Sequence, residues 1–124
     1  MIIGCWNVRG LNDPRKHSAL RRLTHQERIA LFGLVETRVR DKNKDNVSQL
    51  LLRNWSFLFN YDFSCCGRIW VCWNADTVKV DVFGMSDQAI HVSVTNKLPI
   101  SVSILQLFME TIMLPYVRHY GLIL

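Results

Sequence analysis

Two short apolar runs, Ile2–Val8 (IIGCWNV) and Ile29–Val35 (IALFGLV), flank one amphipathic stretch, and that arrangement leaves the chain few ways to fold. Each run reads as a buried strand, and the first ends in polar residues. Between them, Asn12-Asp13-Pro14 is a helix-start signal: a capping side chain, then Pro in the first turn. Ala19, Leu20 and Leu23 recur at helical spacing, with Arg15, Lys16, Arg21 and Arg22 on the other side. The pattern predicts an amphipathic helix with a basic outer face. Strand, helix, strand with a crossover of this length implies parallel neighbours in one sheet.

Glu36-Thr37 follows the second strand, and Arg38–Lys44 is a charged loop. Asp45 or Asn46 is the expected cap of a second helix, with Val47, Leu50 and Leu51 as its apolar stripe. Beyond Arg53, the segments Trp55–Phe59, Arg68–Trp73, Val78–Phe83 and Ile90–Val94 read as strands. Turn residues stand between them at Asn60–Gly67, Asn74–Asp76 and Gly84–Asp87, giving hairpin-type connections. Two βα units followed by antiparallel strands predict an α/β protein with a mixed sheet.

The 124 residues suit one modest domain, and 49% hydrophobic content excludes a disordered chain. The longest apolar runs, such as Ile29–Val35 and Ile100–Leu105, fall short of the roughly 18 residues of a membrane span. No basic segment precedes the apolar Met1–Trp6, so no secretory signal is expected and an intracellular protein is. Residues 1–53 hold 11 Lys/Arg and 5 Asp/Glu, whereas residues 54–124 hold 4 and 5. A basic first half suits a polyanion partner, nucleic acid first, or simply a basic solvated surface. Cys5, Cys65, Cys66 and Cys72 show no metal-ligand spacing and read as buried, reduced thiols. Only Arg68 stands near the Cys65-Cys66 pair to activate it, so an inert pair is expected.

In open α/β sheets, chemistry gathers at the carboxyl ends of strands. Asn7 ends the first strand and Glu36 follows the second, so parallel neighbours would set an amide beside a carboxylate. Such a pair can hold a hard cation or place a phosphate; equally, it can be a capping Asn and a solvated Glu. The helix face Arg15, Lys16, Arg21, Arg22 suits a nucleic-acid backbone or plain solvent. Trp6, Trp70 and Trp73 suit base stacking or, in apolar strands, core packing, which is the expectation.

Three segments carry a family resemblance: Trp6-Asn7-Val8-Arg9-Gly10-Leu11-Asn12, Leu34-Val35-Glu36-Thr37 and Gly67-Arg68-Ile69-Trp70-Val71-Cys72-Trp73. Together they resemble the endonuclease/exonuclease/phosphatase superfamily, which has the DNase-I-like fold. Within it, the look is that of the N-terminal endonuclease domain of plant LINE-type (non-LTR) retrotransposon polyproteins. The resemblance covers residues 1–95 of a family domain longer than this chain. It implies the N-terminal half of a four-layer α/β/β/α sandwich with a mixed sheet. It also implies phosphodiester hydrolysis with Mg²⁺ (or Mn²⁺), a DNA partner, a nuclear location if functional, and no small-molecule cofactor or membrane. By that resemblance Glu36 is the metal ligand, and Asn7 is the amide that organises the metal and the scissile phosphate. Arg9, Arg38 and Arg40 are the candidate nucleic-acid contacts.

The chain also departs from the family. Some relatives carry an acidic residue two positions after this Asn, where this chain has Arg9, so Glu36 is its one clear carboxylate ligand. The family's later Gly-Asp-x-Asn and Ser-Asp-His motifs are absent. Gln88 follows Ser86-Asp87 where the motif needs His, so that pair reads as a turn. His91 alternates with Ile90 and Val92 and reads as structural, and His119 lacks a motif context.

The resemblance stops near Lys97. Joining the last base of each codon from Phe108 to Gly121 with the first two of the next makes Met109 yield glycine without choice. With free codon choice elsewhere, the stretch rereads as Tyr-Gly-Asp-Asn-Tyr-Ala-Thr-Val-Arg-Lys-Ala-Leu-Trp-Thr, which looks like the family's continuation. A frameshift between about Val94 and Phe108 is the expectation, with a genuinely divergent tail as the alternative; either way 1–95 is a partial domain and 96–124 a divergent tail. The expected function is an endonuclease fragment inactive alone; the alternative is a small basic nucleic-acid-binding module without catalysis. A half sandwich would leave the inward residues of Ile2–Val8, Ile29–Val35 and Arg68–Trp73 facing solvent or the divergent tail, so self-association through an exposed sheet is expected.

Overall fold

The parallel pairing implied by the two apolar runs is present. In the computed structural model, which describes residues 1–97, 100–108, 112–116 and 121–123, β1 (Ile2–Asn7) lies parallel to β2 (Ile29–Val35). Their crossover is α1 (Pro14–Gln26). Asp13 caps it, its carboxylate accepting from the Arg15 amide, with Pro14 in the first turn. His17, Leu20 and Thr24 are its buried residues, while Ala19 and Leu23 are half-buried. Lys16 does not belong to the basic outer face. Its ammonium turns under the chain and donates to the carbonyls of Val8 (2.6 Å), Arg9 (3.1 Å) and Gly10 (2.9 Å).

A 3₁₀ turn, Asp41–Asn43, leads into α2 (Lys44–Leu51), so the helix starts before Asp45 and Asn46, and Asn43 holds the cap position. Val47, Ser48 and Leu51 are buried, but Leu50 is 65% exposed. Val47 and Leu51, four apart, define the inward face of this short helix, and Leu50 falls on its flank. There its carbonyl accepts from the Arg21 guanidinium.

β3 (Ser56–Phe59) and β4 (Ile69–Trp73) complete one side of the first sheet, whose order is β3-β4-β2-β1-β9, with β9 at Gly121–Ile123. β4 runs antiparallel to β2 and β3, so the sheet is mixed. The turn after β4, closed by Thr77 N–H to the Asn74 carbonyl (3.0 Å), sends the chain out of this layer. β5 (Val78–Met85), β6 (Ala89–Lys97), β7 (Ile100–Phe108) and β8 (Ile112–Tyr116) then form a second, antiparallel sheet in that order.

The inward faces of β1, β2 and β4 are therefore covered and do not face solvent: β6 and, from the segment after residue 95, β7 lie over them. Ile3, Cys5, Leu31, Val35, Ile69 and Val71 pack against Ile90, Val92 and Val94 of β6 and Leu105 and Leu107 of β7. The strands after Val78 build the second layer themselves. On the other face of the first sheet, Phe32, Leu34, Trp70 and Cys72 pack against Leu20 of α1 and Val47 and Leu51 of α2. Trp70 is fully buried, its ring edge-on to Phe57 and Phe59, which is core packing and not a stacking platform. The described residues thus supply three layers: helices, first sheet, second sheet. The exposed apolar side chains of the second sheet include Phe83, Ile100 and Val102. No helix among the described residues is long and apolar enough to cross a membrane.

β7 was not among the expected strands. It pairs with β6 from Ala89↔Phe108 to Lys97↔Ile100, so position 95 lies inside a continuous ladder. The rereading from Phe108 onward falls partly on residues 109–111 and 117–120, and Pro99 and His119 likewise lie outside the described residues. Cys5 and Cys72 are buried free thiols as expected, and burial pushes the Cys5 thiol up to about 12. Cys65 and Cys66 are exposed instead, because they sit in the connection between β3 and β4 rather than in a strand.

One contact locks the two sheets together. A Cβ placed on Gly33 of β2 would come within 2.6 Å of Leu107 Cδ2 and 2.8 Å of Cδ1. Gly33→Ala is expected to destabilise by about 1–3 kcal/mol through overpacking, and Leu107→Ala by about 2–5 kcal/mol through a cavity. The double variant should lose less than the two singles together, as urea unfolding would measure. Additive losses would show that β7 does not pack on β2.

Candidate functional site

β1 and β2 end at the same sheet edge, with Asn7 opposite Val35 and Glu36 the next residue. The amide and the carboxylate therefore stand on one edge, as the strand-end argument expects. Asn7 Oδ1 accepts from the Arg9 amide (3.3 Å), which turns the chain out of β1. Arg9 has φ +48° and is exposed. Glu36 is half-buried, and its Oε2 lies 3.6 Å from the Arg38 guanidinium.

The segment carrying Glu36 is held from outside at every carbonyl. The Val35, Glu36 and Thr37 carbonyls accept from the amides of Val8 (3.0 Å), Gly10 (2.8 Å) and Leu11 (2.7 Å). The Arg38 carbonyl accepts from Asn12 Nδ2 (3.0 Å), and that of Val39 from the Tyr61 hydroxyl (2.7 Å). Thr37 is fully buried; its N–H donates to the Arg68 carbonyl (3.3 Å) and its hydroxyl to that of Gly67 (2.8 Å). On either side of it, Glu36 (φ +56°) and Arg38 (φ +54°) are left-handed. That conformation costs a non-glycine residue about 1–2 kcal/mol and persists only where surroundings over-determine it.

Beside this edge opens a cleft of about 730 Å³ lined by Glu36, Arg38, Val39, Arg40, Cys65, Cys66 and Arg68. Three arginines and one glutamate line it, a positive balance that favours an anionic ligand. Of the expected nucleic-acid contacts, Arg38 and Arg40 line the cleft, and Arg9 stands on the neighbouring loop. Arg68, Thr37, Asn12, Lys16 and Tyr61 also build this edge and were not singled out for it. Arg68, Asn12 and Thr37 were visible as members of the resemblance segments, and Arg68 also as the neighbour of the Cys65-Cys66 pair, but the pairings by which these residues act are displayed by no sequence spacing. Asn60, fully buried, ties in the second sheet: its Oδ1 accepts from Ile69 N–H, and its Nδ2 donates to the carbonyls of Ser86 and Asp87. Ser86-Asp87 is the turn it was expected to be, with the Ser86 hydroxyl accepting from the amides of Gln88 and Ala89. His91 lies in β6 against Phe83, with ring centroids 5.8 Å apart.

Helices on a mixed sheet backed by an antiparallel sheet, with polar groups at the strand ends, define the DNase-I-like α/β class. The chain is similar to the crystal structure of AP endonuclease LMAP from Leishmania major, with a TM-score of 0.61 and 19% identity. The match covers 84% of this chain and 38% of that one, and the likeness shows the fold. No family model and no curated protein matches the chain.

Thr37→Val keeps the shape but removes the hydroxyl, leaving the buried Gly67 carbonyl without that donor. A loss of about 1–3 kcal/mol is expected in chemical denaturation; a change near zero would mean the segment is held without it. Burial pushes the Tyr61 hydroxyl up to about 12, opposed by the hydrogen bond from Trp70. Its folded value lies above the ordinary value near 10, so its contribution is complete below about pH 10 and is lost as pH rises toward 12. Thermal melts across that window should show a steeper loss in the parent chain than in Tyr61→Phe.

Proposed function

We propose that the chain is the front part of a Mg²⁺- or Mn²⁺-dependent DNA endonuclease of the LINE retrotransposon type, inactive without the rest of its domain. A frameshift after about residue 95 and a nuclear site of action belong to the same reading. The observation that carries it is Glu36 beside the end of β1, at the mouth of a cleft lined by Arg38, Arg40 and Arg68. The likeness to an AP endonuclease supports a nucleic-acid partner, and the divalent metal rests on the family resemblance of the segments carrying Asn7 and Glu36.

The residues present fit a Mg²⁺ site of one kind. Mg²⁺ is commonly held through one or two carboxylates, with waters and substrate phosphate completing its shell. Glu36 and the Asn7 amide suit that role. They do not make an all-protein cage: among the described residues no group of three or more His, Cys, Asp or Glu converges. When bound, the ion would polarise a phosphoryl oxygen and lower the pKa of a water. The chain's own part is to present the Glu36 carboxylate, to orient a phosphate oxygen through the Asn7 amide, and to hold flanking phosphates on the arginines. Protonating a leaving oxygen needs a further group, and the Ser86 hydroxyl and His91 are already placed in turn and strand.

The three arginines against one carboxylate favour a second reading, a nucleic-acid-binding module without catalysis. Titrating labelled duplex DNA with and without Mg²⁺ separates the two. The first reading expects Mg²⁺ to strengthen binding and Glu36→Ala to remove that gain; the second expects no metal effect. Under both, Arg40→Ala and Arg68→Ala should weaken binding and each reduce the salt slope by about 1. Plasmid nicking by the purified chain should stay at background with Mg²⁺ or Mn²⁺. Cleavage lost in Glu36→Ala would overturn the inactive assignment.

A further inference from the structure

We propose that Cys65 and Cys66 are a reversible modification site, oxidised by a hydroperoxide to a vicinal disulfide at the rim of the arginine-lined cleft. The sequence alone favours an inert pair, but the geometry does not. Both thiols are exposed, and their sulfurs are in contact at 3.5 Å. The turn that carries them is fixed on both sides: the Phe63 and Ser64 amides donate to the Asn60 carbonyl, and the Gly67 amide donates to that of Ser64. The other two thiols, Cys5 and Cys72, are buried, so the pair is the accessible thiol site of the chain.

The chemistry balances with the peroxide as sole oxidant. The Cys66 thiolate attacks one peroxide oxygen, the O–O bond breaks, and the departing hydroxide (alkoxide from an organic hydroperoxide) takes a proton to leave as water (or an alcohol). The Cys66 sulfenic acid is then attacked by the Cys65 sulfur. An S–S bond forms, and the hydroxyl leaves with the Cys65 proton as water. Two thiols lose two electrons and the peroxide gains them. The neighbouring Cys66 sulfur, through its hydrogen bond and charge, pushes the Cys65 thiol up, which suits Cys65 to the second, resolving role. Adjacent Cα atoms stand about 3.8 Å apart across a trans peptide, less than the roughly 4.4–6.8 Å of ordinary disulfides. The bond is therefore strained, and strained disulfides are the readily reduced ones.

The strain falls next to Gly67 and Arg68, whose carbonyls pin Thr37. Bridging the pair should loosen that pin and with it the segment carrying Glu36.

The test is hydrogen peroxide treatment of the whole chain, followed by intact mass and amide hydrogen exchange. The expected product is a monomer lighter by two hydrogens, restored by dithiothreitol and absent in Cys65→Ser and Cys66→Ser. The Thr37 amide should exchange about tenfold faster after oxidation, the effect of weakening one hydrogen bond. Oxygen adducts, a disulfide-linked dimer, or a two-hydrogen loss surviving in Cys65→Ser would overturn the assignment. Unchanged Thr37 exchange in the bridged form would overturn the coupling. Neither readout depends on nuclease or DNA-binding activity.

Discussion

The backbone of Val35–Val39 is the element on which the rest of the site edge depends. Five consecutive carbonyls accept hydrogen bonds from five donors outside the segment: three amides after β1, the Asn12 side chain and the Tyr61 hydroxyl. A segment leaving a strand would ordinarily give those carbonyls to water. Here they extend the β1–β2 pairing beyond both strands. The cost of two left-handed residues is met by contacts none of which belongs to Glu36 or Arg38 side chains. Position and chemistry are thus separated: backbone bonds place the groups, and the carboxylate and guanidinium remain at the cleft.

The donors are themselves fixed by the first crossover. Lys16, one turn into α1, collects the carbonyls of Val8, Arg9 and Gly10, which orients the amides of Gly10 and Leu11 toward β2. His17 bonds the Leu11 carbonyl from the next position of the helix. Asn60 does the corresponding work between layers, joining the start of β4 to the turn between β5 and β6. The helix, the first sheet and the second sheet are thus all tied by hydrogen bonds at or near this edge.

Much of the frame was legible in the residues. The apolar runs, the Asp13-Pro14 start of α1 and the hairpin textures before Lys97 all correspond to elements, because strand and helix periods are local properties. Which sheet a strand joins is not local. Val78 and Ile90 look alike whether they extend the first sheet or build the second, and the expected bare face followed from placing most second-sheet strands in an absent half of the domain. β7 escaped because its run was judged by family likeness rather than by its own alternation, which places Ser103, Leu105 and Leu107 on one buried face. The common sheet edge of Asn7 and Glu36 was legible because strand ends follow from strand order. Lys16 was counted as surface because a cation opposite an apolar stripe usually is, and nothing in its spacing reveals three carbonyls beneath it. The Cys65-Cys66 pair was counted as buried on residue type alone, although it falls between strands.

The left-handed backbone at Glu36 has a consequence for substitution at that position. Most side chains are disfavoured in that conformation, and glycine and asparagine are the residues that tolerate it. Substitution of Glu36 by either of those residues would relieve the backbone there. A glutamate at that site works against the local preference of the chain.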